Sequence, residues 1–464
     1  ILTVRFDNAT VRLLAARDGI AFRTTNPVTF HTNAKTWLQP FRTSYESPYL
    51  TTRVARRYGF PALIQNDRDR YTLLTESGTP KGAVSHLTRD LAVRPTTNNW
   101  RVVVTGTLAR VVDSDLPLTL GRPSRIQDTS WIEPGIAAWT WWADRRSGGT
   151  LIAQQQAVDE AAANGWRYVT VDAGWDPQWV PGLVAYAAAR HVKIVLWFDA
   201  DDATPAALDQ AHGWGVAGVK VDFLLSDHAD RIALMNRIAR DAAARRLVVD
   251  FHGCTLPRGL QRTWPNVLSA EAVYGAEHAT VTPMVPAQNV DDVLIRNVVG
   301  SMDYTPVTFS APGRITTDGH ELAEAVAFES GLQHFADTPA AYAARPLAQE
   351  VLNGVPAAWD DTRLIDGAPD DHAVIARRDG TTWWVGGLSA TPQRTLTVPL
   401  AFLKQPGAYL ARIITDGPAG LTATDQPVDR DTRLSVPVAA NGGFTIELRR
   451  ARAARSSRAA RPPR

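Results

Sequence analysis

The chain has 464 residues, 45% of them hydrophobic and 21% charged, which indicates a large buried core and excludes an intrinsically disordered protein. Seven of the 49 Lys and Arg residues lie between Arg449 and Arg464, so the remaining 42 basic and 47 acidic side chains give the body a net charge of −5. A mildly acidic body argues against nucleic acid as the main partner.

The single cysteine, Cys254, excludes an intramolecular disulfide and leaves the cellular compartment open. No run of about 18 apolar residues predicts a membrane-spanning helix. The chain begins at Ile1, inside a predicted strand, so we expect that the natural N-terminus and any signal peptide lie upstream of it.

Residues 1–130 are predicted to form an antiparallel β-domain. Short alternating stretches, such as RVVVTGTL at 101–108, are separated by Asn, Pro, Gly and Thr.

The pattern changes near Trp131, where short apolar runs begin to alternate with alanine-rich helical segments. The predicted strands are 136–142, 168–172, 192–198, 218–223, 247–252 and 267–271, and the predicted helices are 150–164, 182–190, 205–212 and 227–244. Strands that are apolar on both faces and are separated by helices indicate a parallel sheet. Six successive units favour a (β/α)8 barrel over an open sheet, so we expect a catalytic barrel over residues 131–360.

Helical character is predicted over 321–335 and 347–352, and strands return after about residue 361, most clearly at 383–388 and 443–448. These features predict a C-terminal β-sandwich over 361–450. The basic segment 451–464 is predicted to be a disordered tail. The expected fold class is therefore a multidomain β and α/β protein.

Each predicted barrel strand from the second to the sixth ends in a polar residue: Asp172, Asp199, Asp222, His252 and Glu271. The carboxyl ends of barrel strands converge on the active site. Clustered carboxylates repel one another unless they share protons or bind a cation, which leaves two uses open, hydrolysis of a glycosidic bond and a metal site with oxygen ligands. Asp199 fits a helix cap equally well, whereas Asp222 and Glu271 favour a functional role.

Gly253 and Cys254 directly follow His252 at the end of the fifth predicted strand. His252 fits a structural role and a position at the barrel mouth equally well. Gly253 permits an unusual backbone conformation or close approach of a ligand. Cys254 has no cationic neighbour in sequence and is predicted to be a bystander. The sequence has no phosphate-binding loop, zinc-ligand spacing or nucleophile elbow, which argues against those enzyme classes.

Seven motifs together resemble glycoside hydrolase family 97, in order and with similar spacing. They are WTWW at 139–142, VDAGW at 171–175, KVDF at 220–223, VDFHG at 249–253, GLQRTWPN at 259–266, EAVYGAE at 271–277 and MDYTP at 302–306. The resemblance implies an N-terminal β-sandwich, here shortened, before the TIM barrel, and a C-terminal β-domain after it. It also implies an exported bacterial enzyme that acts on α-glucosides or α-galactosides and binds calcium.

The resemblance implies a mechanism because the family has two branches. In the retaining branch the nucleophile is the aspartate that ends strand four, here Asp222. In the inverting branch a glutamate base follows the strand-five histidine, and Gly253 occupies that position here. This departure predicts retention, and the acid/base residue corresponds to Glu277.

The resemblance also implies Ca²⁺ bound by Glu271, Glu277 and, from the N-terminal domain, Glu46. The expected substrate contacts are Lys220, His252, Arg262, Trp142, Asp172 and Trp197. A purely structural role is nearly as well supported for Arg262.

The expected function is a retaining α-glycosidase, preferentially an α-galactosidase, acting as a secreted or periplasmic monomer on an oligosaccharide or α-glycoside. One alternative is an inverting α-glucosidase of the same family, which would need Asp250 or Asp303 as its base. The second is a carbohydrate-binding protein without catalysis, which has no need for both Asp222 and Glu277.

Overall fold

The computed structural model describes residues 1–7, 9–78, 84–404 and 407–451. Of the tail predicted over 451–464, residues 452–464 lie outside the described residues. Within them, an N-terminal sheet domain, a parallel barrel and a C-terminal β-sandwich follow one another along the chain.

The N-terminal domain is built on a seven-stranded antiparallel sheet with the order β1-β2-β3-β11-β8-β7-β5, while β10 pairs with β4 and β6 with β9. Its elements are β1 (Leu2–Phe6), β2 (Ala9–Ala15), β3 (Gly19–Thr24), β4 (Val28–Thr29), β5 (Lys35–Trp37), β6 (Arg57–Tyr58), β7 (Ala62–Asp67), β8 (Arg70–Ser77), β9 (Leu87–Thr88), β10 (Ala92–Val93), β11 (Thr96–Gly106), α1 (Leu108–Val112) and α2 (Leu116–Thr119). Its buried side chains belong to the same hydrophobic core as those of the barrel.

The barrel sheet is parallel, with the order β17-β16-β15-β14-β13-β12-β18. Its elements are β12 (Gly135–Trp139), α3 (Leu151–Asn164), β13 (Tyr168–Val171), α4 (Val180–Ala188), β14 (Lys193–Asp199), α5 (Pro205–Gly213), β15 (Gly218–Asp222), α6 (Ala229–Ala244), β16 (Val248–Phe251), α7 (Leu260–Thr263), β17 (Val267–Ala270), α8 (Pro286–Asp291), α9 (Asp318–Ala327), β18 (Leu332–Phe335), α10 (Pro339–Ala343) and α11 (Pro346–Gly354), with short 3-10 or π turns at Ser147–Gly149, Ala276–Thr280, Asp292–Arg296 and Asn297–Val299.

The segment 302–304 occupies the place of the missing barrel strand, between β17 and β18. The Asp303 amide donates to the Ala270 carbonyl at 3.4 Å, and the Met302 amide donates to the Glu329 carbonyl at 2.9 Å. The predicted barrel is therefore confirmed as a nearly closed sheet of seven strands plus this segment.

The helix predicted over 321–335 is wrong in its second half, because α9 ends at Ala327 and residues 332–335 form β18. Gly331 packs closely at the turn, where an added Cβ would meet the Leu268 carbonyl at 2.7 Å. The short apolar run LQHF continues the helical pattern in sequence, and only its pairing with β12 makes it a strand.

The C-terminal domain stacks a six-stranded antiparallel sheet, ordered β19-β20-β21-β26-β23-β24, on the antiparallel pair β22-β25. Its strands are β19 (Asp361–Ala368), β20 (His372–Asp379), β21 (Thr382–Ser389), β22 (Arg394–Pro399), β23 (Tyr409–Gly417), β24 (Gly420–Val428), β25 (Arg433–Val438) and β26 (Gly443–Arg450). In the described residues, no helix has the length and apolar character needed to cross a bilayer.

Candidate active site

Four candidate residues lie together at the carboxyl ends of three neighbouring barrel strands. Asp222 ends β15, His252 follows β16, and Glu271 follows β17. Glu277 lies in the 3-10 turn a few residues beyond β17. Parallel strands place their carboxyl ends at one rim of the barrel, so residues far apart in sequence meet there.

The Asp222 carboxylate is held by two donors. Its Oδ2 accepts a hydrogen bond from Trp197 Nε1 at 3.2 Å, and its Oδ1 accepts one from the Phe223 amide at 2.6 Å. Burial raises the pKa of Asp222, and the nearby charges of His252 and Lys220 act in the opposite direction. The side chain is partly exposed at the mouth, so one face of the carboxylate is open to a ligand.

Gly253 leaves the space that Asp222 occupies. Its φ is +48°, and an added Cβ would lie 2.8 Å from Asp222 Oδ1 and 2.9 Å from the Phe223 amide nitrogen. Both distances are shorter than real Cβ contacts. A side chain at position 253 and the observed position of Asp222 are therefore incompatible.

Glu277 lies between two cationic groups. Its Oε1 is 3.3 Å from His252 Nδ1 and 3.8 Å from Lys220 Nζ, yet it makes no hydrogen bond of good geometry within the described residues. Burial raises the pKa of Glu277, but Lys220 and His252 outweigh it and lower the pKa to about 2. Trp142 Nε1 donates to the Ala276 carbonyl at 2.9 Å and so fixes the turn that carries Glu277.

Lys220 is a buried cation below the mouth. Its Nζ donates to Asp172 Oδ2 at 3.1 Å and lies 4.0 Å from the centre of the Trp139 ring. Trp139 Nε1 donates to the same Asp172 oxygen at 2.8 Å. Burial lowers the pKa of Lys220, but the charges of Asp172 and Glu277 outweigh it and raise the pKa. Lys220 is therefore charged and fixed.

His252 is surrounded by carboxylates. Its Nε2 lies 2.6 Å from Asp303 Oδ2 and 3.3 Å from Asp250 Oδ2, and its Nδ1 lies 3.5 Å from Glu271 Oε2. Burial and Lys220 lower the pKa of His252, but Glu271 and Asp250 raise it well above its usual value. The surrounding carboxylates therefore favour the protonated form of the ring.

Three side chains could share a metal ion, since His252, Glu271 and Glu277 each offer one ligand atom and these atoms lie within 4.8 Å of one another. Glu271 Oε2 also accepts a hydrogen bond from the Gly253 amide at 2.8 Å. Burial raises the pKa of Glu271 well above its usual value; His252 opposes this rise, and the charge of Glu46 adds to it. An oxygen-rich group with an unbonded carboxylate oxygen fits a hard cation.

Glu46 reaches this rim from the N-terminal domain. Its Oε2 lies 3.4 Å from His278 Nε2, and the His278 ring stacks on Tyr274 at 4.0 Å between centroids. Glu46 thus lies near the possible metal ligands, but it is not one of the three residues, His252, Glu271 and Glu277, whose ligand atoms lie within 4.8 Å of one another.

The structure does not bring Arg262 to this cluster. Arg262 is exposed and lines a cleft of about 760 Å³ between the three domains, together with Asp113 and Trp359. The barrel residues of this cleft precede β17, segment 302–304 and β18, so they lie at the opposite end of the barrel. The motif at 259–266, which contains Arg262, lies just before β17. There the chain has already passed from the active-site end of the barrel to the opposite end.

Two other residues have local roles. Asp199 Oδ1 accepts a hydrogen bond from the Asp201 amide at 3.0 Å within its own turn, whereas the cap of the following helix is Thr204. Cys254 is fully buried, and burial raises the pKa of its thiol.

Three polar residues at the site were absent from the predicted set: Asp303 served only as an alternative base, and Thr170 and His334 were not considered. Thr170 Oγ1 lies 2.7 Å from His334 Nε2, and His334 Nδ1 lies 2.7 Å from Asp303 Oδ2. Each is a polar residue in a short buried barrel strand or strand-like segment, and that pattern was the available signal.

A parallel barrel that gathers carboxylates and a fixed cation at the carboxyl ends of its strands is the arrangement of a glycoside hydrolase. Comparison with known families agrees: residues 2–123 match the model described as glycosyl-hydrolase 97 N-terminal, residues 131–273 match glycoside hydrolase 97, and residues 358–449 match glycosyl-hydrolase 97 C-terminal, oligomerisation. The chain belongs to glycoside hydrolase family 97.

Two relatives carry the name retaining alpha-galactosidase. The chain is 38% identical to a "Probable retaining alpha-galactosidase" of Streptomyces bingchenggensis, over 92% of this chain and 75% of the relative. It is 32% identical to a "Retaining alpha-galactosidase" of Bacteroides thetaiotaomicron, over 77% of this chain and 60% of that protein.

Solved structures share the fold. A family 97 enzyme from Pseudoalteromonas sp. strain K8, in complex with acarbose, matches 96% of this chain and 85% of its own with a TM-score of 0.87 at 22% identity. A beta-arabinopyranosidase matches 95% of this chain and 85% of its own, with a TM-score of 0.85 at 24% identity. At these identities the likeness concerns the fold alone.

Proposed function

We propose that this glycoside hydrolase is a retaining, exo-acting α-galactosidase. The observation that carries the proposal is the absence of room for a side chain at Gly253 beside the carboxylate of Asp222. A base following His252 would collide with Asp222 in its present position. The names of the two relatives support galactose as the sugar.

In the first half of the reaction, Asp222 attacks the anomeric carbon. The bond between that carbon and the leaving oxygen breaks, and a glycosyl ester forms on Asp222. Trp197 and the Phe223 amide orient the attacking carboxylate, since each donates to one of its oxygens. Lys220 and Asp172 offer a charged donor and an acceptor for sugar hydroxyls beside it.

Glu277 is the proposed acid and base. It gives a proton to the leaving oxygen in the first half and takes one from water in the second half, so that its charge is restored. Lys220 and His252 lower its pKa in the free enzyme, which favours the base form. A bound sugar excludes water from the carboxylate, and this desolvation raises the pKa towards what the acid form needs.

We further propose a Ca²⁺ site formed by Glu46, Glu271 and Glu277. When bound, Ca²⁺ would orient sugar hydroxyls and offset the repulsion among the carboxylates. We expect Glu46→Gln to weaken Ca²⁺ binding at least about tenfold by calorimetry, because it removes the ligand from the N-terminal domain. Glu133→Gln, on the surface far from the mouth, is the control. Equal affinity in both variants would contradict the ligand role of Glu46.

The roles of the two carboxylates can be separated by azide rescue. Asp222→Gly should lose turnover of an activated α-galactoside and regain it with azide, which attacks the substrate and yields the β-galactosyl azide. Glu277→Ala should yield the α-galactosyl azide, because azide then attacks the glycosyl ester. Asp199→Gly, at the neighbouring strand end, should respond little. An α-azide from Asp222→Gly would overturn the assignment.

The sugar preference is tested with p-nitrophenyl α-galactoside, α-glucoside and β-L-arabinopyranoside. We expect the highest kcat/KM on the galactoside, and a preference for either other sugar would refute the substrate class.

We also propose that the enzyme is exported and acts as a monomer. Light scattering decides the second point, since a stable dimer would instead agree with the oligomerisation description of the C-terminal family model.

A further inference from the structure

A chain of hydrogen-bonded side chains crosses the barrel interior beneath the mouth. Asp303 Oδ2 lies 2.6 Å from His252 Nε2 and 2.7 Å from His334 Nδ1, and His334 Nε2 lies 2.7 Å from Thr170 Oγ1. The four residues come from β13, β16, segment 302–304 and β18, and each is at most 1% exposed. Four separate parts of the barrel thus fix one carboxylate between two imidazole rings.

Only the His252 end of this hydrogen-bonded series of side chains reaches the proposed catalytic carboxylates. His252 presents its second nitrogen, Nδ1, to Glu277 Oε1 at 3.3 Å and to Glu271 Oε2 at 3.5 Å. The ring can face both groups only while Nε2 stays on Asp303. Rotation of the ring would move Nδ1 away from Glu277.

Asp303 and not Asp250 is the anchor, although both lie near the same ring nitrogen. Asp250 Oδ2 is 3.3 Å from His252 Nε2, whereas Asp303 Oδ2 is at 2.6 Å. Both Asp250 oxygens lack a hydrogen-bond partner of good geometry among the described residues, while Asp303 Oδ2 has two. A buried carboxylate bonded to two rings restrains both of them.

We propose that Asp303 is a positioning residue that fixes the His252 ring and, through it, the carboxyl group of Glu277 for proton transfer. This inference rests on the proposed function of Glu277. Asp303→Asn keeps the volume but replaces the charged oxygen that both rings contact by a neutral amide oxygen, so both hydrogen bonds lose their charge assistance and weaken.

The test compares kcat/KM on two α-galactosides that differ in how much the leaving group needs a proton. Proton donation matters greatly for melibiose and little for 2,4-dinitrophenyl α-galactoside. We expect Asp303→Asn to lose at least about 30-fold on melibiose and less than about threefold on the dinitrophenyl substrate. A merely structural role would lower both values by the same factor.

Glu277→Gln is measured first, because it must show the same selective loss if Glu277 is the acid. If it does not, the proposed function fails and this inference fails with it. If it does and Asp303→Asn loses both activities equally, only the positioning role is overturned.

Two further variants keep the test decisive. Thr170→Val removes only the outermost link, should fold even where Asp303→Asn does not, and is expected to show a smaller loss of the same selective kind. Asp250→Asn is the matched control, because it changes the second carboxylate near the same nitrogen. A selective loss in Asp250→Asn without one in Asp303→Asn or Thr170→Val would contradict the proposal.

Discussion

Two buried ionic clusters in this enzyme differ in how completely their carboxylate oxygens are paired. The first, the joint cluster, comprises Glu76, Arg101, Arg258 and Tyr45, where the N-terminal sheet meets the barrel. Glu76 pairs with Arg101 through Oε1 and with Arg258 Nε at 3.0 Å through Oε2, and Arg258 Nη2 donates to the Tyr45 hydroxyl at 2.7 Å. Each of these charged side chains is at most 2% exposed.

The second, the mouth cluster, comprises Asp222, Glu271, Glu277, Lys220 and His252. Its carboxylates outnumber its cations, and Glu277 Oε1 has no well-aligned donor among the described residues. A buried carboxylate that is paired through both oxygens, as Glu76 is, fixes structure, whereas a carboxylate with an unbonded oxygen can still bind a ligand. Substitutions in the joint cluster should therefore cost stability, and those in the mouth cluster should cost activity.

The largest expected effect is that of Asp222→Asn on catalysis. An amide cannot form the glycosyl ester, so we expect kcat/KM for p-nitrophenyl α-galactoside to fall by at least about 10⁴-fold. Asp199→Asn is the control and should keep activity within about threefold, because the Asp199 carboxylate accepts a hydrogen bond from its own loop. Comparable losses in both variants would contradict a catalytic role that Asp222 has and Asp199 lacks.

Glu76→Gln tests the joint cluster. It leaves two buried guanidinium groups without a carboxylate, so we expect a loss of about 3–5 kcal/mol in the free energy of unfolding by urea denaturation. Glu133→Gln breaks exposed pairs with Lys193 and Arg167 and should cost at most about 1 kcal/mol. A loss of that small size from Glu76→Gln would show that the joint cluster contributes little stability.

Gly253→Ala inserts a methyl group between the fifth strand and Asp222. Because that Cβ would meet Asp222 Oδ1 at 2.8 Å, we expect kcat to fall about 10- to 100-fold through displacement of the carboxylate. Gly165→Ala is matched in conformation, with φ of +71° and open space around it, and should lower stability without changing kcat. Equal kcat values for both variants would contradict the steric account.

The smallest expected effect is on the pH dependence of stability. Burial raises the folded-state pKa of Asp222 above its usual value, so its ionisation disfavours the folded state as pH rises past the unfolded-state pKa. Asp222→Asn should therefore raise the free energy of unfolding by about 1 kcal/mol at neutral pH, which corresponds to a Tm gain of about 1 °C for a chain of this length. The gain should vanish below about pH 4. A Tm difference that does not change with pH would contradict the raised pKa.

Local patterns in the sequence predicted most of the fold. The alternation of apolar runs and helices defined the barrel, and Gly165 ends α3 in the left-handed conformation, at φ +71°, as predicted. The strand β18 was missed because LQHF continues the apolar pattern of α9, and its identity depends on pairing with β12, which lies far earlier in the sequence.

The sequence predicted the site residues that lie at strand ends. It did not predict the residues that contact one another across the barrel interior. Asp222 ends β15 and Glu271 directly follows β17, so the topology alone gathers them, whereas Glu277 lies in the turn beyond β17 and was predicted from the family resemblance. The contacts among Asp303, His334 and Thr170 join three distant segments, and no local pattern encodes them. Arg262 was misplaced because a continuous motif does not reveal that the chain has passed to the other rim.

The stereochemistry of the first product tests the central claim most directly. Purified enzyme with Ca²⁺ is mixed with p-nitrophenyl α-galactoside, and the anomeric protons are followed by NMR before mutarotation equilibrates them. The account predicts that α-galactose appears first, with the β-anomer growing in slowly. First appearance of β-galactose would contradict Asp222 as nucleophile and would require a separate base beside the attacking water.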